Sequence, residues 1–177
     1  MKTAKISTWA GVFLSLLLFL GCQPSGDEGA GGVAPAPEKQ AGREEPEPEG
    51  EEVTITITGN DNMKFDVEEF SVKARQPVKL VFKNVGTMPK ESMGHNVVIL
   101  DQDVDAQAFA NAGASKARNE YIDPDLENEV IAATDLLGPG EEDTITFTAP
   151  AETGDYEYIC SFPGHFASGM RGVMSVE

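Results

Sequence analysis

The chain has 177 residues and a formal net charge of −17, with 30 acidic against 13 basic side chains. This acidic excess argues against nucleic-acid binding, because phosphate groups are bound by clustered Lys and Arg. The sequence contains neither a glycine-rich phosphate-binding loop nor a dinucleotide-binding fingerprint, so it gives no indication of a nucleotide-dependent enzyme. The length suits one domain with appended segments.

The N-terminal segment has the pattern of an export signal. A short basic stretch precedes an apolar run at residues 10–20, about half of the ~20 residues that a membrane-spanning helix needs. We therefore predict a signal peptide over residues 1–21. Its end, Leu18-Phe19-Leu20-Gly21-Cys22, resembles the lipobox of bacterial lipoproteins, in which the cysteine is acylated. The resemblance implies that Cys22 anchors an exported protein to a bacterial membrane, on the periplasmic or cell-surface side. The alternative is an ordinary cleaved signal with an incidental cysteine.

Residues 22–50 have the composition of a linker. They are mostly Gly, Pro, Ala and Glu, with almost no large apolar side chain. Such a segment cannot bury enough apolar surface to fold, so we predict a disordered tether. A disulfide between Cys22 and Cys160 would join the targeting segment to a loop of the domain, and we expect none.

From residue 51 onward the sequence has the period-two alternation of half-buried strands. Clusters of Gly, Pro and Asn separate the alternating segments, which is typical of turns. The pattern predicts one all-β domain over residues 51–177, an antiparallel Greek-key β-sandwich. The predicted strands are Val53–Thr58, Phe70–Lys73, Val78–Lys83, Asn96–Leu100, Glu129–Ala133, Thr144–Thr148, Tyr156–Cys160 and Gly172–Val176.

One insert breaks this rhythm. Residues 104–119 are rich in Ala, Gln, Lys and Arg, which favours a short helix, and Asp103 or Asp105 could cap its N-terminus. The Asp123-Pro124 pair follows the end of that helix. We expect residues 101–128 to form a mostly helical flap outside the sandwich.

The strongest chemical signal lies near the C-terminus. Cys160, His165 and Met170 place a thiolate, an imidazole and a thioether on one loop, and the only other histidine of the chain is His95. Two imidazoles, one thiolate and a weak thioether are the ligand set of a blue (type 1) copper electron-transfer site. The sequence therefore predicts one copper ion that alternates between Cu(II) and Cu(I).

The domain resembles azurin, a member of the cupredoxin family of blue copper proteins, over nearly all of residues 53–177. The resemblance rests on several stretches in the same order: Gly59-Asn60-Asp61-Asn62-Met63-Lys64-Phe65, Met88-Pro89-Lys90-Glu91-Ser92-Met93-Gly94-His95-Asn96, Ile131-Ala132-Ala133-Thr134, Leu137-Gly138-Pro139-Gly140-Glu141 and Cys160-Ser161-Phe162-Pro163-Gly164-His165. It implies that His95, Cys160 and His165 are the equatorial copper ligands and that Met170 is the axial ligand.

The resemblance also assigns supporting roles. It implies a weak axial contact from the Gly94 carbonyl, and hydrogen bonds near the thiolate from Asn96 and Ser161 that tie the ligand segments together. Four residues separate His165 from Met170, where azurin has three. That longer loop is similar to the loops of plastocyanin and auracyanin.

An exposed apolar rim around His165 would give a redox partner a place to dock. The resemblance implies that this rim consists of Met63, Met88, Met93, Phe162, Pro163 and Phe166. The expected partner is a redox protein such as a c-type cytochrome or a membrane oxidoreductase, and we expect the protein itself to be monomeric.

These observations predict a membrane-tethered, mononuclear type 1 copper protein that transfers electrons. The alternative is a copper-binding lipoprotein for copper storage or delivery. An enzyme is not expected, because type 2 and type 3 copper centres need further histidines and a binuclear centre needs a second loop cysteine. Both histidines of the chain are already assigned to the type 1 site.

Overall fold

The alternating segments form the strands of two β-sheets in a computed structural model that describes residues 46–177. The predicted signal peptide, Cys22 and the linker up to residue 45 lie outside the described residues. The strands are β1 (Val53–Asn60), β2 (Lys64–Phe65), β3 (Glu69–Val72), β4 (Pro77–Asn84), β5 (Val98–Leu100), β6 (Val130–Ala133), β7 (Glu142–Thr148), β8 (Gly154–Ile159) and β9 (Arg171–Val176). The helices are α1 (Lys90–Met93), α2 (Ala106–Gly113) and two 3-10 helices, Ala117–Asn119 and Pro124–Glu129.

Each predicted strand is present, with bounds that differ by at most two residues. The sequence analysis missed β2 and α1, because two and four residues are too few to show a period. Period-two alternation was a good guide to the buried face. In β4, for example, every second residue from Val78 to Asn84 is buried.

The two sheets are mixed, so the expectation of a purely antiparallel sandwich is wrong. The first sheet has the order β2-β1-β4-β7, and β1 pairs with β4 in parallel. The second has the order β3-β9-β8-β5-β6, and β3 pairs with β9 in parallel. Alternation reports which face of a strand is buried, but it carries no information on strand direction.

The main core draws side chains from both sheets. Leu80 and Phe82 of the first sheet and Tyr156 and Tyr158 of the second are fully buried in one apolar cluster. Phe65 packs its ring against both Phe82 and Tyr158, with centroid distances of 5.9 and 5.5 Å. Cys160 and Met170 belong to the same cluster, so two of the predicted metal ligands are set into the core itself.

The predicted flap is present and covers the second sheet. Asp105 caps α2, with its carboxylate accepting hydrogen bonds from the amides of Gln107 and Ala108 at 3.0 Å. Phe109 of α2 is buried in a second apolar cluster with Leu100 and Ile159. Strand β5 is therefore buried on both faces, since its central residue packs in the main core instead. Among residues 46–177, no helix combines the length and the apolar character that crossing a membrane requires.

Candidate metal centre

Strand pairing brings the predicted ligands to one end of the second sheet. Val98 near the start of β5 pairs with Ile159 at the end of β8, because the two strands are antiparallel. His95 lies three residues before β5, and Cys160 directly follows β8. His165 and Met170 lie in the loop between β8 and β9. Residues distant in sequence therefore meet at this end of the sheet.

Three ligand atoms converge in a buried site. The Sγ atom of Cys160 lies 3.4 Å from Nδ1 of His165 and 3.9 Å from Nδ1 of His95, and the two Nδ1 atoms are 3.1 Å apart. All three side chains are at most 2% exposed. Their ligand atoms lie within 4.8 Å of one another, close enough to hold one metal ion.

Burial controls the protonation of these groups. It raises the pKa of the Cys160 thiol to about 12, against the opposing effect of the backbone amides of Asn96 and Phe162. It lowers the pKa of His165 to about 4, with a smaller contribution from His95, and it lowers the pKa of His95 as well. The imidazoles are therefore neutral and offer lone pairs, whereas a metal ion must displace the thiol proton. A neutral, water-excluded pair of imidazoles with a cysteine sulfur fits a soft-to-intermediate cation such as copper.

The loop 160–170 fixes its own shape by a Schellman motif, a common way to end a helical turn. The amide of Met170 donates to the carbonyl of His165 at 3.0 Å, and the amide of Gly169 donates to the carbonyl of Phe166 at 2.8 Å. Gly169 has a φ of +87°, the left-handed conformation that the motif requires and that glycine adopts without strain. The motif brings together the first and last residues of a six-residue stretch, which here are His165 and Met170. The four-residue spacing thus places the backbone of Met170 beside that of His165.

Met170, the last residue of this motif, is fully buried. Its methyl group lies against Gly59 of β1, where an added Cβ would come within 2.9 Å of Met170 Cε. Its carbonyl accepts a hydrogen bond from the Cys160 amide at 3.1 Å. The sequence analysis named Gly59 only within a stretch that resembles azurin, and its role in making room for this methyl group became visible only in the folded chain.

His95 is held by a distant partner. Its amide and carbonyl both pair with the backbone of Leu137, at 3.1 and 2.7 Å. The Nε2 atom of His95 is buried and has no hydrogen-bond partner within the described part of the chain. Gly94 packs so closely that a Cβ there would lie 2.7 Å from the Lys90 carbonyl. The sequence analysis did not identify Leu137 as the partner of His95, because nothing local to either residue encodes that pairing.

A hydrogen-bond network joins the two ligand segments. The amide of Ser161 donates to Oδ1 of Asn96 at 2.9 Å, and Nδ2 of Asn96 donates to Oγ of Ser161 at 2.8 Å. Both side chains also reach the carbonyl of Glu120 in the flap. The predicted supporting residues are thus brought together. The Gly94 carbonyl lies 4.0 Å from Cys160 Sγ.

The predicted apolar rim is smaller than expected. Phe162 and Phe166 are only 9% and 8% exposed, and Phe166 packs in the flap cluster with Arg171 above its ring. Phe162 instead lies between His165 and Tyr121, with centroid distances of 4.6 and 5.0 Å. The other members differ in exposure: Met63 and Met93 are half-buried, Pro163 is exposed, and Met88 is 41% exposed.

Comparisons with known proteins agree with this geometry. The model of the family described as copper binding proteins, plastocyanin/azurin family, matches residues 51–177. Azurin-1 of Alcaligenes xylosoxydans xylosoxydans is 42% identical over 122 residues, which cover 67% of this chain and 92% of that protein. Outer membrane protein H.8 of Neisseria gonorrhoeae is 41% identical over 110 residues, which cover 61% of this chain and 59% of that protein. The match thus spans less than two thirds of the H.8 protein.

Solved structures with the same fold include auracyanins. Auracyanin from Roseiflexus castenholzii superimposes with a TM-score of 0.64 at 38% identity, covering 70% of this chain and 96% of that one. Auracyanin A from Chloroflexus aurantiacus, a blue copper protein, gives a TM-score of 0.63 at 35% identity, covering 71% and 99%.

Proposed function

This chain belongs to the plastocyanin/azurin family of copper-binding proteins, and from that premise we propose that it is a membrane-tethered carrier of single electrons. Its two histidines, its buried cysteine and a methionine form a single copper site. The observation that carries the proposal is the convergence of the two imidazoles and the cysteine sulfur in one buried site. Such a donor set accommodates both Cu(II) and Cu(I), and copper bound there supplies reversible one-electron chemistry.

Each residue has a distinct role in this proposal. Cys160, His95 and His165 would be the strong ligands of the copper, and the Met170 thioether would be the weak axial ligand that the resemblance to azurin implies. The Gly94 carbonyl, 4.0 Å from Cys160 Sγ, would make at most a weak contact with the copper. The framework around the ligands limits their movement, because Cys160 and Met170 lie in the main core, His95 is bonded to Leu137, and His165 is bonded within its own loop. Small movement on electron transfer is what a fast carrier needs.

The path for the electron runs through His165. His165 itself is only 2% exposed, but the two residues before it, Pro163 and Gly164, are both exposed. A redox partner that docks on Pro163 and Met88 would approach this ring closely. We propose a c-type cytochrome or a membrane oxidoreductase as that partner, with the protein acting as a monomer and transforming no substrate.

The membrane tether is supported by the sequence. The apolar segment ends at Cys22, and a relative is named an outer membrane protein. We propose that Cys22 carries a lipid on the periplasmic or cell-surface side and that residues 22–50 let the domain move near the membrane. Labelling of growing cells with a radioactive fatty acid tests this directly. Label should enter the wild-type chain and the Cys160→Ser chain but not the Cys22→Ala chain, and label in Cys22→Ala would refute it.

The visible and EPR spectra of the copper-loaded chain test the copper centre. An intense blue absorption band with narrow copper hyperfine splitting is expected for the wild type, and Cys160→Ser should lose both. An ordinary tetragonal copper spectrum in the wild type would refute a type 1 site. Rapid electron exchange with a c-type cytochrome would then separate electron transfer from copper storage or delivery, since a storage protein has no need of it.

A further inference from the structure

We propose that Lys64 is a positioning residue for the axial ligand, because its ammonium group caps the ligand loop directly before Met170. The proposal rests on the assignment of Met170 as the axial copper ligand. Lys64 lies in β2 at the edge of the first sheet, whereas the loop joins two strands of the second sheet. The contact therefore links the two sheets at the copper end of the domain.

The contact consists of two hydrogen bonds to backbone carbonyls. Nζ of Lys64 donates to the carbonyl of Ser168 at 3.0 Å and to the carbonyl of Gly169 at 3.2 Å. Within residues 46–177, no backbone amide donates to either of these carbonyls. They are the unpaired carbonyls at the end of the helical turn, where a cation is favoured by both hydrogen bonding and the local dipole.

Contacts of β2 and of the turn before it hold the backbone of Lys64 in place. Its backbone pairs with Asn60 of β1, and the next residue, Phe65, is buried between the sheets. The turn before it is fixed by the Asp61 carboxylate, which accepts hydrogen bonds from the amide and hydroxyl of Thr87. In the described part of the chain, Lys64 forms no ion pair, and its ammonium group donates to the two loop carbonyls.

The loop is shaped to receive the ammonium group. A Cβ on Gly169 would come within 2.5 Å of Lys64 Nζ, so a larger residue there would displace the ammonium group from its present position. The same glycine has the left-handed φ that ends the turn. Met170 follows directly, and its amide and carbonyl are bonded to His165 and Cys160. Loss of the cap would loosen the end of the turn and allow the thioether to move relative to the other donors.

The test compares Lys64→Met and Lys64→Arg with wild type in the full chain. Lys73→Met is the matched control, because Lys73 is exposed beyond the end of β3, where β3 pairs with the far end of β9. Hydrogen exchange of the Gly169 and Met170 amides is measured in the metal-free protein. EPR spectra are recorded after copper loading.

Lys64→Met should speed exchange of both amides about tenfold, since one or two capping hydrogen bonds are lost. It should also change the copper hyperfine splitting and g-anisotropy, which respond to the axial ligand. Lys64→Arg, which keeps the charge and the donors, should restore both properties to near the wild-type values. Lys73→Met should change neither.

Unchanged amide exchange in Lys64→Met would overturn the proposal. So would an altered reduction potential with an unaltered EPR spectrum, because that result indicates a charge acting through space and not a positioned ligand. If the wild-type chain shows no type 1 copper spectrum, the proposed function fails by itself. The amide exchange of the metal-free protein then still decides whether Lys64 caps the loop.

Discussion

The two segments that meet at the copper site are held in different ways. The loop 160–170 is held largely by its own backbone, through the bonds of Met170 to His165 and of Gly169 to Phe166. The segment around His95 depends on residues far away in the sequence, because His95 pairs with Leu137 and Asn96 with Ser161. One segment has a geometry that its sequence encodes locally, and the other has a geometry that only the packed sheets provide.

This difference shows where the site can be disturbed. A substitution within the loop should alter the metal geometry with a modest loss of stability. A substitution around His95 should reduce stability and metal geometry together, because the same contacts serve both. In order of decreasing expected effect, three substitutions examine this contrast, and a fourth tests the turn before Lys64.

Asn96→Ala removes the contact between the two segments. It leaves the buried amide of Ser161 without its acceptor, so the free energy of unfolding should fall by about 3 kcal/mol. Urea denaturation of the metal-free chain measures this. Asn62→Ala is the control, since Asn62 is exposed in a turn and should change stability by less than about 0.5 kcal/mol. Equal stabilities for the two variants would contradict the role of Asn96.

Gly94→Ala alters the distantly held segment at the residue before His95. The new methyl group would lie 2.7 Å from the Lys90 carbonyl and 3.0 Å from the Leu136 side chain, so the backbone must shift. Overpacking of this kind should cost about 2 kcal/mol and displace His95. Denaturation and EPR spectra should both change. An unchanged EPR spectrum at reduced stability would show that His95 is held independently of Gly94.

Gly169→Ala alters the locally held loop. A left-handed φ is unfavourable for alanine by about 1 kcal/mol, and the added methyl group also displaces Lys64. Gly140→Ala is a matched control, since Gly140 has a φ of +77° and nothing near its Cβ position. Both variants should lose similar stability, but only Gly169→Ala should alter the EPR spectrum. Identical spectra for both would argue against a locally fixed axial ligand.

Asp61→Asn should have the smallest effect, and the effect should depend on pH. The Thr87 hydroxyl and amide lower the pKa of the Asp61 carboxyl below its usual value of 3.8, because they bond to the charged form. A lowered folded pKa stabilises the protein above the unfolded pKa, and this stabilisation is lost as pH falls through the folded value. Thermal unfolding of the metal-free proteins should differ at neutral pH and converge in acid. A constant difference across that range would contradict the assignment.

The comparison also explains which parts of the fold could be predicted. Apart from β2, the strands of 51–177 followed from period two, and Cys160, His165 and Met170 stood out because they share one short loop. The parallel pairing of β1 with β4 could not be predicted, since alternation is the same for either direction. The burial of Phe162 and Phe166 was also missed, because a residue in a loop has no periodic signal to show which side is covered.

By itself, the sequence determined the donor set, the strand pattern and the residues that end the ligand loop, because each depends on neighbours within a few positions. Tertiary structure alone decided how His95 reaches Cys160, how Leu137 holds it, and how Lys64 reaches the end of the loop. These contacts join residues many positions apart, and their partners become neighbours only when the two sheets close on a common core. The residue types in the sequence supply the atoms that can bind copper, whereas packing sets the distances between them.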